Sequence, residues 1–454
     1  MKRNTGEMLG TAPIGRVIFS LALPALAANL INCLYNVVDR MYIGRIEGVG
    51  TAALTGVGVT FPIIMLITAF ANFAGGGGAP LAGIYLGSGE KAKADNILSN
   101  SFFLLLIFGV SLTALFQLFK EPLLYLFGAS DAVIGYSLEY MSTYLMGTLF
   151  VQMAIGLNPF ISTQGRSGIA MCSVLVGAVL NIVLDPIFIF VLDMGVRGAA
   201  LASIISQGVS AAWVLHFLMS KNSGLRLRFA RPSGKILGRI ASLGLAPFIM
   251  GSTESLVTIV LNSGMQRYGG DLYVASITIL QSILQLIIIP LQSFSQGTQP
   301  LISYNYGAGN YKRVREAFRW VLTICMSLSM VMGLACTLFT GTFARMFTSD
   351  DLALIELCGR AGRIFFVGMT IFGAQMACQA SFLGLGQAKA SLFAAMLRKV
   401  FLMVPLAILL PILFNGDPTA IYFSEPISDA VASAVTLCVY LVLRRKLLPV
   451  DRKE

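Results

Sequence analysis

Charged residues are scarce in this sequence. Of its 454 residues only 12% are Asp, Glu, Lys or Arg, and there is one histidine. A soluble globular chain carries about 25% charged residues, so the composition excludes a soluble domain, a disordered chain and a secreted hydrolase. The seven cysteines form no CxxC motif, which argues against a disulfide scaffold. No GxxxxGK[ST] motif occurs, so the chain gives no sign of ATP hydrolysis.

Apolar residues dominate what is present. They make up 56% of the chain, whose mean hydropathy is +0.80, and both values indicate a polytopic membrane protein. A spanning helix needs about 20 residues plus a connection, so twelve such helices leave no room for an extramembrane domain. The predicted segments are 16–43, 52–80, 97–119, 133–160, 168–192, 197–219, 238–266, 272–300, 317–341, 355–385, 388–412 and 420–443.

The net charge of +11 comes mainly from loops on one side of these segments. Because cytoplasmic loops are enriched in Lys and Arg, we expect both termini in the cytoplasm and no nucleic-acid partner. The basic break 220–236 predicts a cytoplasmic linker between two six-helix bundles, 1–219 and 237–454. Its charge is compatible with binding to anionic membrane lipids.

The two halves resemble each other at an offset of about 220 residues. Since six helices separate equivalent positions, both halves share one orientation and form a parallel repeat. Two parallel bundles around a central cleft are typical of an alternating-access carrier, so the repeat favours transport. The matching pairs include Pro24 with Pro247, Pro80 with Pro300, Gly87 with Gly307, and Gln152 with Gln375.

Acids inside a bilayer are costly and usually functional. Asp39 and Asp185 lie about 35 Å and about 28 Å along helices that start on the inner side, so they can share one site. Asn181 precedes Asp185 by one turn, and Tyr35 precedes Asp39 by one turn. These oxygen atoms predict a proton or cation site, with interhelical hydrogen bonding as the alternative. Asn29, Asn32 and Asn36 share the helix face of Asp39.

The C-terminal half carries Glu254 near the predicted midplane. It is a candidate proton or substrate group, or a structural acid. Gln281 and Gln285 belong to a row of glutamines at helical spacing, which predicts either a cavity wall or a ladder of interhelical hydrogen bonds. Arg398 and Lys399, about ten residues into the eleventh segment, either extend to the inner interface or line the cytoplasmic opening.

A run of four glycines occupies 75–78 in the second segment. Without a following GK[ST] sequence it does not indicate a phosphate loop. We expect these glycines to allow close helix packing or a bend.

Four separated blocks, 21–58, 181–207, 300–318 and 379–406, resemble the multidrug and toxic compound extrusion transporters, in the branch of bacterial multidrug pumps. The resemblance covers nearly the whole chain. It implies an all-α, twelve-helix, two-lobe exporter of the bacterial cytoplasmic membrane. Such an exporter exchanges H⁺ or Na⁺ for organic, often cationic, compounds by alternating access. We expect a monomer without cofactor or enzymatic activity.

Position by position, the resemblance implies a coupling-ion group of Tyr35, Asp39, Asn181 and Asp185, which would hold a proton, with Na⁺ as the alternative. A related branch has a sodium site formed by acids on the seventh and tenth helices. This chain keeps Glu254 but lacks the tenth-helix acid, which shifts the expectation to the N-terminal site. The predicted substrate cavity comprises Asn32, Asn36, Gln152, Asn158, Ser203, Glu254, Gln281, Gln285 and Gln375.

Three other functions compete with drug export. A flippase for a lipid-linked precursor shares the architecture and would need a cationic cavity; the deep charges are mostly acidic, but Arg398 and Lys399 keep this alternative open. A passive channel fits the two halves and the buried acids less well. An enzyme would need a catalytic constellation, which the residues do not supply.

Overall fold

The computed structural model describes residues 5–228, 231–346 and 352–449, and within these ranges the chain forms helices and connections without a strand. The first half contains α1 Thr5–Thr11, α2 Ile14–Gly44, α3 Gly50–Gly87, α4 Lys91–Leu126, α5 Ile134–Met146, α6 Thr148–Thr163, α7 Ser167–Pro186 and α8 Gly195–Met219. The second half contains α9 Gly234–Gly269, α10 Asp271–Gly307, α11 Tyr311–Ala344, α12 Leu352–Phe365, α13 Met369–Gly384, α14 Ala388–Met396, α15 Val404–Leu413, α16 Thr419–Tyr422 and α17 Ser424–Leu447.

The all-helical membrane fold agrees with the prediction. Ten helices in the described ranges are long and apolar enough to cross a membrane, and the pair α5 and α6, bent by 58°, meets the same criteria when taken together. Helices α12 and α13 together cover the tenth predicted segment, 355–385. Each of the twelve predicted segments therefore coincides with one helix or one chain of adjoining helices.

Two spans contain π-helical stretches, Ile187–Val191 after α7 and Leu397–Met403 between α14 and α15. The first follows Pro186 directly. Proline has no N–H to donate and its ring crowds the preceding turn, which accounts for the change in helix type at this point. Such stretches are frequent at functional sites. Here the first begins two residues after the buried Asp185, and the second contains the buried Lys399.

Helices from the two halves pack most closely along α3 with α9 and along α2 with α10. Glycines make these approaches possible. A Cβ atom on Gly77 would overlap the Ile240 carbonyl, and one on Gly244 would overlap the Phe73 carbonyl. The predicted role of the glycine run in close packing is thus confirmed for Gly77.

The repeat-related glycines Gly87 and Gly307 meet at one end of the molecule. A Cβ on Gly87 would overlap the Tyr304 carbonyl, and a Cβ on Gly307 would overlap the Ile84 carbonyl. Helices α3 and α10 are therefore in backbone contact at this end, which we name the Gly87/Gly307 end.

The predicted linker is held against α4 at the same end. The Arg226 N–H donates to Asp95 Oδ1 at 2.9 Å, and the Ser233 N–H donates to Asn100 Oδ1 at 2.7 Å. Leu225 and Leu227 are buried among apolar residues of the first half. The described part of 220–236 is thus held along α4 by hydrogen bonds and apolar contacts, and we name it the strap. Residues 229 and 230 lie outside the described residues.

Candidate functional site

The four residues of the predicted coupling-ion group lie on two helices in contact, α2 and α7. Asp39 and Asp185 are buried, with 9% and 0% exposure, and their carboxyl groups interact directly. The Asn181 amide donates to Asp185 Oδ1 at 3.2 Å and reaches Ser203 Oγ of α8 at 3.5 Å. The structure therefore brings the two acids together as their depths in the sequence predict.

Three oxygen atoms of this group are buried without a hydrogen-bond partner: Asp39 Oδ1, Asn181 Oδ1 and Asp185 Oδ2. Buried acceptors are normally satisfied, because each unpaired one costs about 1–3 kcal/mol. Three unpaired acceptor oxygens on adjacent side chains can be satisfied together by a bound proton or cation.

Aromatic hydroxyl groups and an amide surround the two acids. Tyr35 lies beside Asp39 and close to Gln207 of α8, while Tyr140 of α5 lies close to Ser203. Tyr140 and Tyr144 are buried and stacked, with ring centroids 5.8 Å apart. Sequence reasoning missed these two tyrosines and Gln207, although the four-residue spacing of Tyr140 and Tyr144 was a usable signal.

The remaining polar residues predicted for the first half occupy different surroundings. Asn32 and Asn36 are exposed on α2, on the helix that carries Asp39. Asn158 donates to Ser173 Oγ at 2.8 Å and to the Ala170 carbonyl, so it joins α6 to α7. Gln152 is fully buried and donates to the Ile67 carbonyl at 2.7 Å. In this conformation the last two residues link helices.

A second charged group lies in the C-terminal half. Arg398 donates to Glu425 Oε1 at 2.5 Å and to Asp429 Oδ1 at 2.6 Å, and all three side chains are at most 8% exposed. The neighbouring Lys399 forms an ion pair with Glu254 of α9. We name these five residues the C-terminal charge cluster.

Arg398 and Lys399 are each held in an ion pair within the helix bundle, which does not fit the alternative in which they extend to the inner interface. Both line a small cavity, and the alternative that they line the cytoplasmic opening stays a prediction. Glu425 and Asp429 escaped the sequence-based search for intramembrane acids. Their four-residue spacing inside the predicted segment 420–443 could have revealed them.

The predicted glutamines divide between exposed and buried positions. Gln285 is exposed and Gln281 half-buried on α10. Gln375 of α13 is buried, lines a small cavity with Arg398 and Lys399, and donates to the Ala394 carbonyl at 3.3 Å. Gln375 is thus the only one of these three that lies next to a buried charge in the described contacts.

Comparison with known proteins places the chain in a family. The MatE family profile matches residues 24–187 and again 247–409. The two matches begin 223 residues apart, in agreement with the offset of the internal repeat.

Curated relatives resemble the chain over almost its whole length. Multidrug export protein MepA of Staphylococcus aureus (strain N315) is 24% identical over 98% of this chain and 97% of its own. The same-named protein of Staphylococcus saprophyticus is 26% identical over 95% of this chain and 94% of its own.

Solved structures agree with the whole fold. The crystal structure of MATE in the bent conformation has a TM-score of 0.91 at 26% identity, covering 98% of this chain and 99% of that one. The outward-facing conformation of a multidrug resistance MATE family transporter gives 0.89 at 26% identity with the same coverage. A MOP superfamily transporter from Pyrococcus furiosus, described as having a binding pocket of reverse polarity that suggests a different function, gives 0.90 at 26% identity, again with the same coverage. The chain therefore belongs to the MatE family of multidrug efflux transporters, and it is a multi-pass membrane transporter rather than an enzyme.

Proposed function

We propose that this protein is a secondary active antiporter that exports organic, often cationic, compounds in exchange for protons. The proton is held between Asp39 and Asp185, beside Asn181. The observation that carries this proposal is the group of three unpaired, buried oxygen atoms on these side chains.

A proton suits this group better than Na⁺, the other ion left open by the sequence. Two carboxylates in direct contact repel each other in a medium of low dielectric constant, and a proton bound between them removes that repulsion.

Coupling to the cargo proceeds through α2. Its outer part, around Asp39, packs on α7, while its first part packs on α10 of the other half. A change in the contact between Asp39 and Asp185 therefore moves a helix that touches both halves. We further propose that the halves 1–219 and 237–454 act as two lobes, as the twofold profile match supports.

The energy available from this exchange depends on the charge of the cargo. For a neutral compound, each proton moved down the membrane potential yields about 2.3 kcal/mol per 100 mV, which corresponds to more than tenfold accumulation of cargo. For a monovalent cation exchanged against one proton the electrical contributions cancel, and the pH gradient drives export. The names of the curated relatives, multidrug export proteins, support drug-like cargo. The distribution of the basic residues supports both termini inside. We propose, from the family resemblance, that the protein is a monomer in a bacterial cytoplasmic membrane.

The test is transport of a cationic dye in liposomes containing the purified protein, with a proton gradient and a sodium gradient imposed separately. We expect dye movement to follow the proton gradient alone and to be lost in Asp39→Asn. Asp193→Asn is the matched control. Asp193 is exposed, lies eight residues beyond Asp185, and has a positive φ of 50° that Asn adopts readily. Movement driven by sodium alone, or full coupling in Asp39→Asn, would overturn the proposal.

The flippase alternative has one structural feature in its favour, the deep cations Arg398 and Lys399. Both are paired with acids, however, and the C-terminal charge cluster contains three carboxylates and two cations. A net negative cluster repels a diphosphate group. Absence of dye transport under either gradient, together with movement of a lipid-linked diphosphate, would favour the flippase.

A further inference from the structure

The C-terminal charge cluster is unevenly balanced. Arg398 pairs with both Glu425 and Asp429 through two short hydrogen bonds, so its single charge balances only one of the two carboxylates; it also lies 4.3 Å from the centre of the Phe372 ring. Each carboxylate keeps one oxygen buried and unpaired, Glu425 Oε2 and Asp429 Oδ2. With Lys399 and Glu254 included, the cluster has one more acid than base. One further positive charge is needed to balance it.

Lys399 lies between the two acidic parts of the cluster. Its ammonium group pairs with Glu254 and lies 3.4 Å from the Met250 carbonyl, and Glu425 and Asp429 also attract it electrostatically. The Lys399 side chain is 10% exposed, whereas that of Glu254 is 47% exposed. Glu254 is therefore open to a ligand on one side and occupied by a tethered cation on the other.

A small cavity beside Lys399 provides a second place for its ammonium group. Its volume is about 20 Å³, and Gln375, Gln379, Arg398 and Lys399 contribute to its lining. The amides of Gln375 and Gln379 donate to α14, at the Ala394 carbonyl and at Ser391 Oγ, so their Oε1 atoms remain buried and unpaired. A cavity of this size holds about one water molecule, which is also the size of an ammonium group.

We propose that Lys399 is a tethered counter-cation that occupies Glu254 when no cargo is bound and withdraws to the Gln375 and Gln379 oxygens when an organic cation takes its place. The inference rests on the proposed function only in taking an organic cation as cargo. It adds a cation site in the C-terminal half that is independent of Asp39 and Asp185.

The exchange conserves the charge pairs. When an organic cation neutralises Glu254, the displaced ammonium group moves toward the field of Glu425 and Asp429, where the unbalanced negative charge lies. There the amide oxygens of Gln375 and Gln379 accept from the ammonium group, and the attraction of Glu425 and Asp429 offsets the repulsion of Arg398, which also lines the cavity. Cations that lack this carboxylate contact, and neutral compounds, do not displace Lys399.

The experiment measures equilibrium binding of labelled tetraphenylphosphonium to the full-length protein, purified in detergent at fixed pH. We expect Lys399→Met to bind the probe about fivefold more tightly, the factor that corresponds to loss of a half-exposed ion pair of about 1 kcal/mol. Glu254→Gln should weaken binding. In the Glu254→Gln background, Lys399→Met should have no effect, because no carboxylate is left to release. Lys389→Met, which removes an exposed lysine near the start of α14, is the matched control.

The destination of the ammonium group is tested with Gln379→Met, which removes an acceptor and nearly conserves volume. Binding should weaken about threefold when Lys399 is present and stay unchanged in the Lys399→Met background. Lys399→Gln replaces Lys399→Met if the latter does not fold, because its amide can donate to the Met250 carbonyl.

Two outcomes separate this inference from the proposed function. If the wild type binds the probe and Lys399→Met or Lys399→Gln leaves its affinity unchanged, the tethered cation alone is overturned. The same conclusion follows if Lys399→Met tightens binding equally in the Glu254→Gln background. No probe binding by the wild type or by either variant overturns the tethered cation and the proposed cargo class together. The proton coupling of Asp39 is measured separately and can fail while the Lys399 effect persists.

Discussion

Replacing Arg398 with methionine should destabilise the protein strongly. The guanidinium group is the only described hydrogen-bond partner of both Glu425 and Asp429, at 2.5 and 2.6 Å. All three side chains are nearly inaccessible. Methionine fills a similar volume but leaves two carboxylates buried without a cation in direct contact.

The expected loss is about 3–5 kcal/mol of unfolding free energy, the range for breaking a buried ion pair by removing one partner. The upper half of this range applies because one arginine serves two acids. Retention of the monodisperse protein in detergent after heating measures the effect. Arg319→Met, at an exposed position, is the control and should change stability by less than about 0.5 kcal/mol.

The apolar triple variant, Arg398→Met with Glu425→Met and Asp429→Leu, distinguishes charge from shape. Removing all three charges together should restore most of the lost stability, since replacing buried ion pairs by apolar residues of similar volume is often nearly neutral in effect. A single variant as stable as the wild type, or a triple variant no better than the single one, would refute the electrostatic reasoning.

Three further predictions concern packing and the Gly87/Gly307 end. Gly77→Ala should lower stability by about 1–3 kcal/mol because its Cβ overlaps the Ile240 carbonyl, whereas Gly58→Ala on the same helix has open space and should not; thermal unfolding of both decides this. Asp95→Ala removes the acceptor of the Arg226 N–H, so trypsin should cut the strap faster than in the wild type; an equal cleavage rate would contradict this anchoring. Arg313→Ala removes two hydrogen bonds to carbonyls at the end of α1, each worth about 1.5–3 kcal/mol, and hydrogen exchange in α1 should accelerate while that of α4 stays constant.

The sequence was sufficient to predict the helices because length and hydropathy decide whether a segment spans a bilayer. It also placed Asp39 and Asp185 together, since two helices that start on the same side bring residues of similar depth to the same level. Breaks within spans were harder. The bend between α5 and α6 lies at Gly147, and glycine weakens a helix. Gly208, however, lies inside the unbroken helix α8, so a glycine in the sequence does not by itself predict a break.

Partners on distant helices could not be predicted from one sequence. The pairing of Arg398 with Glu425 and Asp429, and of Lys399 with Glu254, depends on how α17 and α9 pack against the π-helical stretch. The same limit applies to Gln152 and Asn158, whose polar heads suit a cavity and yet bond to neighbouring helices. Amides in membrane helices serve either purpose, and only the packing distinguishes them.

The central claim is that a proton bound at Asp39 and Asp185 is exchanged for cargo. Its most direct test is proton release, followed with a pH indicator when tetraphenylphosphonium is added to the weakly buffered, detergent-solubilised protein. The wild type and Asp193→Asn should release protons as the probe binds, and Asp39→Asn should bind the probe without releasing any. Undiminished release from Asp39→Asn would contradict the account.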